Sequence, residues 1–256
     1  MYLISGMHRS GTSLIAQLFH RAGADLGNPE TLYGPDHWNP DGYFEQQAIL
    51  AVNIPLIHGP WGKLAYFHLP STQTILRRSQ RFRAQIVSVA AEYNDRIVKE
   101  TRFCLTLPAW LQHGTQVPAI LICLRHPAAV AQSLKRRNWI GQQLVYGLWQ
   151  THVQRLLQAA AKIPTWIIRY ENILDRERFA VEFGLAARFF GIHLNESQLK
   201  QLYHDSVKPG YNHHRDNRDD LPAAVNDLWQ NLLTRHAEQQ DGTARSTIPG
   251  TTHHQT

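Results

Sequence analysis

Cysteine is scarce in this chain: two in 256 residues, Cys104 and Cys123, both inside apolar stretches. That excludes a disulfide framework or a cysteine-rich metal site and fits buried thiols. Long apolar runs are missing too. The longest, Pro118 to Leu124, is strand-sized, far short of the ~20 residues that cross a bilayer. No secretory leader is visible, because Met1 runs straight into Tyr2-Leu3-Ile4 and then glycine. The expectation is a soluble cytoplasmic protein with no stable membrane insertion. Acidic residues are outnumbered by basic ones, 20 to 26, which leaves a net charge of +6. This excess is either a solvated basic surface or an attraction for an anionic ligand. No long basic arm or interleaved aromatic platform accompanies it, so no nucleic-acid partner is expected. The 15 histidines are scattered. None has the spacing of a zinc framework, so no metal is expected.

Hydrophobic content of 43% and charged content of 18% suit one globular domain. Short apolar runs alternate with amphipathic stretches, which points to an α/β fold with a central, mostly parallel sheet flanked by helices. Strands are expected at Tyr2 to Ser5, Asp95 to Lys99, Ala119 to Leu124 and Thr165 to Arg169. Helices are expected at Thr12 to Ala22, Tyr43 to Ile57, Pro70 to Tyr93, Leu107 to His113 and Pro127 to Arg137. Others are expected at Gly141 to Lys162, Arg176 to Phe190 and Ser197 to Tyr203. Asp25 to Gly42 reads as a long loop, dense in Gly, Pro, Asn and Asp. The domain is expected to span residues 1–236, followed by a polar, disordered tail over 237–256.

The first strand runs into Gly6-Met7-His8-Arg9-Ser10-Gly11-Thr12-Ser13 and then a helix. Glycine-x4-glycine between a strand and a helix lets successive amides turn inward, and the helix N-terminus adds partial positive charge at the same spot. Small residues Ser10, Gly11, Thr12 and Ser13 leave room for phosphate oxygens and offer hydroxyl donors. A nucleotide-triphosphatase loop would follow its second glycine with lysine. Here Thr12 holds that position, and the cation lies inside the loop at Arg9.

The loop resembles the 5′-phosphosulfate loop of sulfotransferases that use 3′-phosphoadenosine 5′-phosphosulfate (PAPS), with His8-Arg9-Ser10-Gly11-Thr12-Ser13 set against Pro-Arg-Ser-Gly-Thr-Thr. Arg125 through Leu134 is similar to the same family's 3′-phosphate motif, an arginine at a strand end and a serine eight residues on, Ser133. Such a fork and hydroxyl can converge on one phosphate. Asn39-Pro40-Asp41-Gly42-Tyr43-Phe44-Glu45 resembles Asn-Pro-x-Gly-Tyr-Phe-Glu of bacterial members. Lys99-Glu100-Thr101-Arg102 is similar to Lys-Asp-Pro-Arg, departing at Glu100 and Thr101. Tyr170-Glu171-Asn172-Ile173 is similar to a structural Tyr-Glu-Asp-Leu segment. The resemblance covers residues 2–175. It implies a three-layer P-loop-type fold, PAPS as sulfate donor, and a small-molecule or glycan acceptor. His8, Arg9, Ser10, Gly11, Thr12, Ser13, Arg125 and Ser133 would hold the donor.

Sulfuryl transfer needs a stabilised leaving phosphate, here assigned to Arg9 and the loop amides. It also needs a proton acceptor. Glu45 is the first candidate, on the expectation that an apolar wall of Trp38, Tyr43 and Phe44 raises its pKa. Glu30 is the second, with His58 and His68 behind. Trp38 to Phe67 is rich in aromatics, as a ring-binding pocket or as core. Val207-Lys208-Pro209-Gly210-Tyr211 is a candidate closing loop over the nucleotide. A P-loop kinase or nucleotide hydrolase, and a non-catalytic nucleotide-binding protein, stand as the alternatives.

Overall fold

The computed structural model describes residues 1–37, 39, 41–59, 62, 68–138, 140–208 and 221–242. Four strands, β1 (Tyr2–Ser5), β2 (Ile97–Lys99), β3 (Ile120–Leu124) and β4 (Thr165–Arg169), form one all-parallel sheet in the order β2-β1-β3-β4. Both faces are covered, as a parallel sheet requires, so the strands read as continuous apolar runs. Leu3, Ile120, Ile122, Leu124 and Ile167 point to one layer; Ile4, Leu121, Cys123 and Ile168 point to the other. That alternation is the two-residue period of the strand.

Eleven helices of the described residues dress the sheet: α1 (Thr12–Arg21), α2 (Gln47–His58), α3 (Thr72–Ser79), α4 (Arg83–Glu92), α5 (Phe103–Gln112), α6 (Pro127–Asn138), α7 (Gln142–Ala159), α8 (Tyr170–Leu174), α9 (Arg176–Phe189), α10 (Glu196–Ser206) and α11 (Ala223–Asp241). Leu14, Ile15, Leu18 and Phe19 of α1 pack with Phe179 and Phe183 of α9 on one face. The rings of Phe19 and Phe183 meet edge-on at 5.1 Å. Trp110 of α5 and Tyr146 and Trp149 of α7 fill the other face. Cys104 and Cys123 are free and buried, and burial pushes both thiols up.

The helix expected from Tyr43 begins at Gln47 instead. The reason is pairing: the Tyr33 amide donates to the Glu45 carbonyl at 2.7 Å, and Leu32 bridges Gln46 in antiparallel fashion. The Gln46 side chain then donates to the Leu26 carbonyl at 2.6 Å and accepts from Thr31 and Tyr93 at 2.5 and 3.0 Å. These bonds hold the 25–46 loop in one shape and leave Glu45 on an extended segment. The helix expected over Pro70 to Tyr93 is split by a 3₁₀ turn at Gln80–Phe82, with Ser71 capping its first half as expected.

Helix α11 was not expected, and it runs past residue 236 to Asp241. The polar residues read as tail have work on the sheet edge. Gln239 exchanges hydrogen bonds with the backbone of Ile167, at 3.1 and 3.4 Å, and so covers unpaired groups of edge strand β4. His236 and Gln240 reach the buried carboxylate of Glu182 at 2.9 and 2.7 Å. Residues 243–256 lie outside the described residues, as do Trp38 and Pro209, Gly210 and Tyr211 of the candidate closing loop.

Two glycines of the first turn are fixed by close approach. A Cβ at Gly6 would meet the Cys123 carbonyl oxygen at 2.5 Å, and one at Gly11 would run into the Tyr170 ring. Gly11 also holds φ at 85°. Gly23 has φ of 90° and nothing within 4 Å of an added Cβ. Gly23→Ala should therefore cost only left-handed strain, about 1–2 kcal/mol. Gly11→Ala should add the displacement of a buried ring, a further ~1–3 kcal/mol. Urea unfolding of the two variants checks the order; equal losses would contradict the contact.

Candidate functional site

All four strands point the same way, so their C-terminal ends share one edge. Residues that follow them, Gly6 after β1, Glu100 after β2, Arg125 after β3 and Tyr170 after β4, are brought together there although far apart in the chain. Strand β1 has neighbours on both sides, and the crevice outside such a strand end is where open α/β sheets bind ligands. A cleft of about 720 Å³ opens at this edge. His8, Arg9, Gly11, Thr12, Ser13, Glu45 and Arg125 line it. Ser10 and Ser133 lie buried.

No side chain caps α1 and its first turn holds no acidic residue, so its leading amides meet neither competitor nor repulsion. Arg9 sits at φ 69°, a left-handed conformation unusual outside glycine. Its Nε donates to Ser133 Oγ at 2.9 Å, and Arg125 Nη1 donates to the Arg9 carbonyl at 2.8 Å. The sequence pair separated by more than a hundred residues is thus one hydrogen-bonded unit with the loop. The Arg125 guanidinium lies 4.6 Å from the centre of the Tyr170 ring. Burial draws the Arg125 pKa down. Ser10 Oγ is buried and has no hydrogen-bond partner among the described residues. The Nδ1 of His8 lies 3.0 Å from Thr101 Oγ1.

Opposite the loop sits an ionic cluster. Lys99, 2% exposed, donates to Glu45 at 2.5 Å, to the Tyr43 carbonyl at 3.0 Å and to Ser13 Oγ at 3.4 Å. Arg102 Nη1 donates to Glu45 at 3.4 Å and to Glu100 at 2.8 Å. Burial pushes the Glu45 carboxyl up, but Lys99 and then Arg102 outweigh it and hold the pKa below the ordinary value. This corrects the expectation of a carboxyl raised toward neutrality: the burial is there, the neighbours are cations. Burial pushes the Glu100 pKa up, and one of its carboxylate oxygens has no hydrogen-bond partner among the described residues.

Glu30 does not belong to the cleft. It is exposed, in a 3₁₀ turn whose Glu30 amide is capped by the Asn28 side chain at 3.0 Å. His58 lines the cleft at the end of α2; His68 does not. Lys208 reaches it, paired to Asp41 at 2.5 Å. In the sequence, Lys99 and Arg102 stand out only as part of a resembling segment, and Tyr170 only as structural. Their signal was positional: each follows or ends a strand on the edge where the loop emerges. Among the described residues no group of three or more His, Cys, Asp or Glu is placed to hold a metal ion, and no helix is long and apolar enough to cross a membrane.

His152 of α7 backs the loop, its ring 6.0 Å from that of His8. Burial lowers its pKa to about 4, and its Nδ1 lies 2.7 Å from the Leu148 carbonyl. Its unfolded value is near 6.5. Between these values the unfolded chain binds the proton and the folded one does not, so stability falls as pH drops from 6.5 toward 4. The loss is on the order of 3 kcal/mol. Denaturant titrations of wild type and His152→Met over this range should show a flatter profile in the variant; parallel profiles would remove His152 as the cause.

No family model and no curated protein matches this chain. Solved structures do. The sulfotransferase domain from the Synechococcus PCC 7002 olefin synthase is similar over 97% of this chain and 95% of its own, at 19% identity and a TM-score of 0.45. The sulfotransferase domain from the curacin biosynthetic pathway is similar over 91% and 97%, at 12% identity and a TM-score of 0.45. Sulfotransferase STF9 from Mycobacterium avium is similar over 94% and 76%, at 13% identity and a TM-score of 0.40.

Proposed function

We propose that this chain is an enzyme that moves a sulfuryl group from PAPS to a hydroxyl or amine of a small-molecule or glycan acceptor. One observation carries the reading: Arg125 holds the Arg9 carbonyl while Arg9 holds Ser133. On this reading the loop and the end of β3 serve as two anion-binding positions joined in a single unit. A ligand with two separated phosphates fits that unit, and Thr12 in place of a lysine disfavours a triphosphate.

The donor supplies an activated sulfuryl group on its 5′-phosphate. Arg9, the partnerless hydroxyl of Ser10 and the first amides of α1 support charge building on that phosphate. Arg125 and Ser133 hold the 3′-phosphate. Lys99, beside Ser13 of the loop, faces the transferred group. Glu45 takes the acceptor proton. It is ionised before the donor arrives, because Lys99 and Arg102 stabilise its charge. Anionic charge on the loop then competes for Lys99 and makes Glu45 the better proton acceptor.

Calorimetry with adenosine 3′,5′-bisphosphate tests the binding half. The wild type should bind it in preference to magnesium-ATP, and tight binding of ATP alone would favour a kinase or hydrolase instead. Arg9→Ala should lower transfer by roughly 100- to 1,000-fold with the fold intact. Glu45→Gln should slow turnover of an identified acceptor while bisphosphate affinity changes by less than about tenfold, or 1.4 kcal/mol. Full activity in Arg9→Ala would remove the mechanism, and full activity in Glu45→Gln would remove the base.

A further inference from the structure

The second phosphate grip has a brace behind it, and the brace comes from α11. Trp229 is 4% exposed and wedged at the ends of two strands. The His126 ring meets it edge-on at 5.0 Å, and the Arg169 guanidinium lies 5.8 Å from its ring centre. Trp149 of α7 closes the far side at 6.4 Å. His126 is the residue after Arg125, and Arg169 is the residue before Tyr170. Trp229 thus touches the neighbour of each partner in the Arg125–Tyr170 stack.

The same two strand ends are tied once more, by the His126 amide donating to Glu171 at 2.8 Å. Helix α11 is itself fastened to β4 rather than resting on it. Gln239 pairs with Ile167, and His236 and Gln240 hold Glu182, which also accepts from the Arg169 amide at 2.6 Å. Among the described residues the buried Nε of Arg169 has no hydrogen-bond partner, and the guanidinium lies against the Trp229 ring.

We infer that Trp229 is a positioning residue for the 3′-phosphate site. It acts through His126 and Arg169 to keep Arg125 stacked on Tyr170 and aimed along the loop. The inference rests on the proposed donor. A guanidinium fork loses much of its value when its angle drifts, because both its hydrogen bonds and its stacking depend on a fixed plane. The loop that meets the 5′-phosphate shares Tyr170 and the Arg125–Arg9 bond with this grip, but Gly6 and the start of α1 support it independently of α11. Trp229 therefore governs discrimination between a 3′,5′-bisphosphate and a 5′-monophosphate, beyond its share of core packing.

The test compares adenosine 3′,5′-bisphosphate with adenosine 5′-monophosphate on wild type, Trp229→Leu and Trp229→Phe, with thermal unfolding followed in parallel. Trp229→Leu should weaken the bisphosphate by roughly tenfold, the worth of one well-aimed charge-assisted bond. The monophosphate should weaken clearly less, and Trp229→Phe should restore most of the preference. Equal weakening of both nucleotides, or of neither, overturns the inference. A wild type that does not prefer the bisphosphate overturns the proposed donor instead. If Trp229→Leu does not fold, His126→Asn decides: it keeps an acceptor for the Ala128 amide, bonded at 3.3 Å, and removes the ring edge. It should lower the preference in the same direction, and an unchanged preference overturns the inference.

Discussion

The ring of Tyr170 sets the spacing on which the site depends. On one side it lies where a side chain at position 11 would have to be, and on the other the Arg125 guanidinium stacks on it. Glycine at position 11 is therefore a packing requirement as well as a turn requirement. With that ring in place the loop can close onto the end of β3, and Arg125 can reach the Arg9 carbonyl. The strand order makes the meeting unavoidable. In a parallel sheet with β1 beside β3 and β3 beside β4, the residues leaving those strands fall on one edge in that order.

Charge is arranged on the same edge with little waste. Lys99, Glu45, Arg102 and Glu100 form a chain of alternating sign, mostly out of water. A buried ion of one sign costs several kcal/mol, and alternation offsets most of that. Arg9 and Arg125 are treated differently. Arg9 donates to a serine hydroxyl, and Arg125 donates to a backbone carbonyl and stacks on an aromatic face.

Much of the fold was legible because strands and glycines carry local signals. The apolar runs at Tyr2 to Ser5, Ala119 to Leu124 and Thr165 to Arg169 became β1, β3 and β4 almost residue for residue. The glycine–arginine–serine loop and the Arg125 and Ser133 spacing were legible for the same reason, since both belong to a strand end and the helix after it. What was lost depended on distant partners. Glu45 reads as the start of a helix until Tyr33 pairs with its carbonyl. Its pKa reads as raised until Lys99, 54 positions away, is placed against it. Helix α11 carries polar residues such as Gln239 and Gln240 that look solvated, and their partners lie on β4 and α9. Trp229 could be counted in the sequence, but its link to Arg125 runs through two strand ends that only the fold brings together.

The Lys99 ammonium has three donors, and they meet Glu45, the Tyr43 carbonyl and Ser13 Oγ. The bond to Ser13 is the longest of the three, at 3.4 Å, and it is the one that points to the loop. An anion held on the loop would take that place first, because a charged acceptor binds an ammonium more strongly than a hydroxyl does. Lys99 would then serve two anions where it had served one. Glu45 stays buried, so the desolvation that favours its neutral form remains while part of the opposing charge is diverted. In the proposed reaction this sets an order. The donor comes first and weakens the hold on the Glu45 charge. The carboxylate becomes able to take a proton only after the group to be transferred is in place.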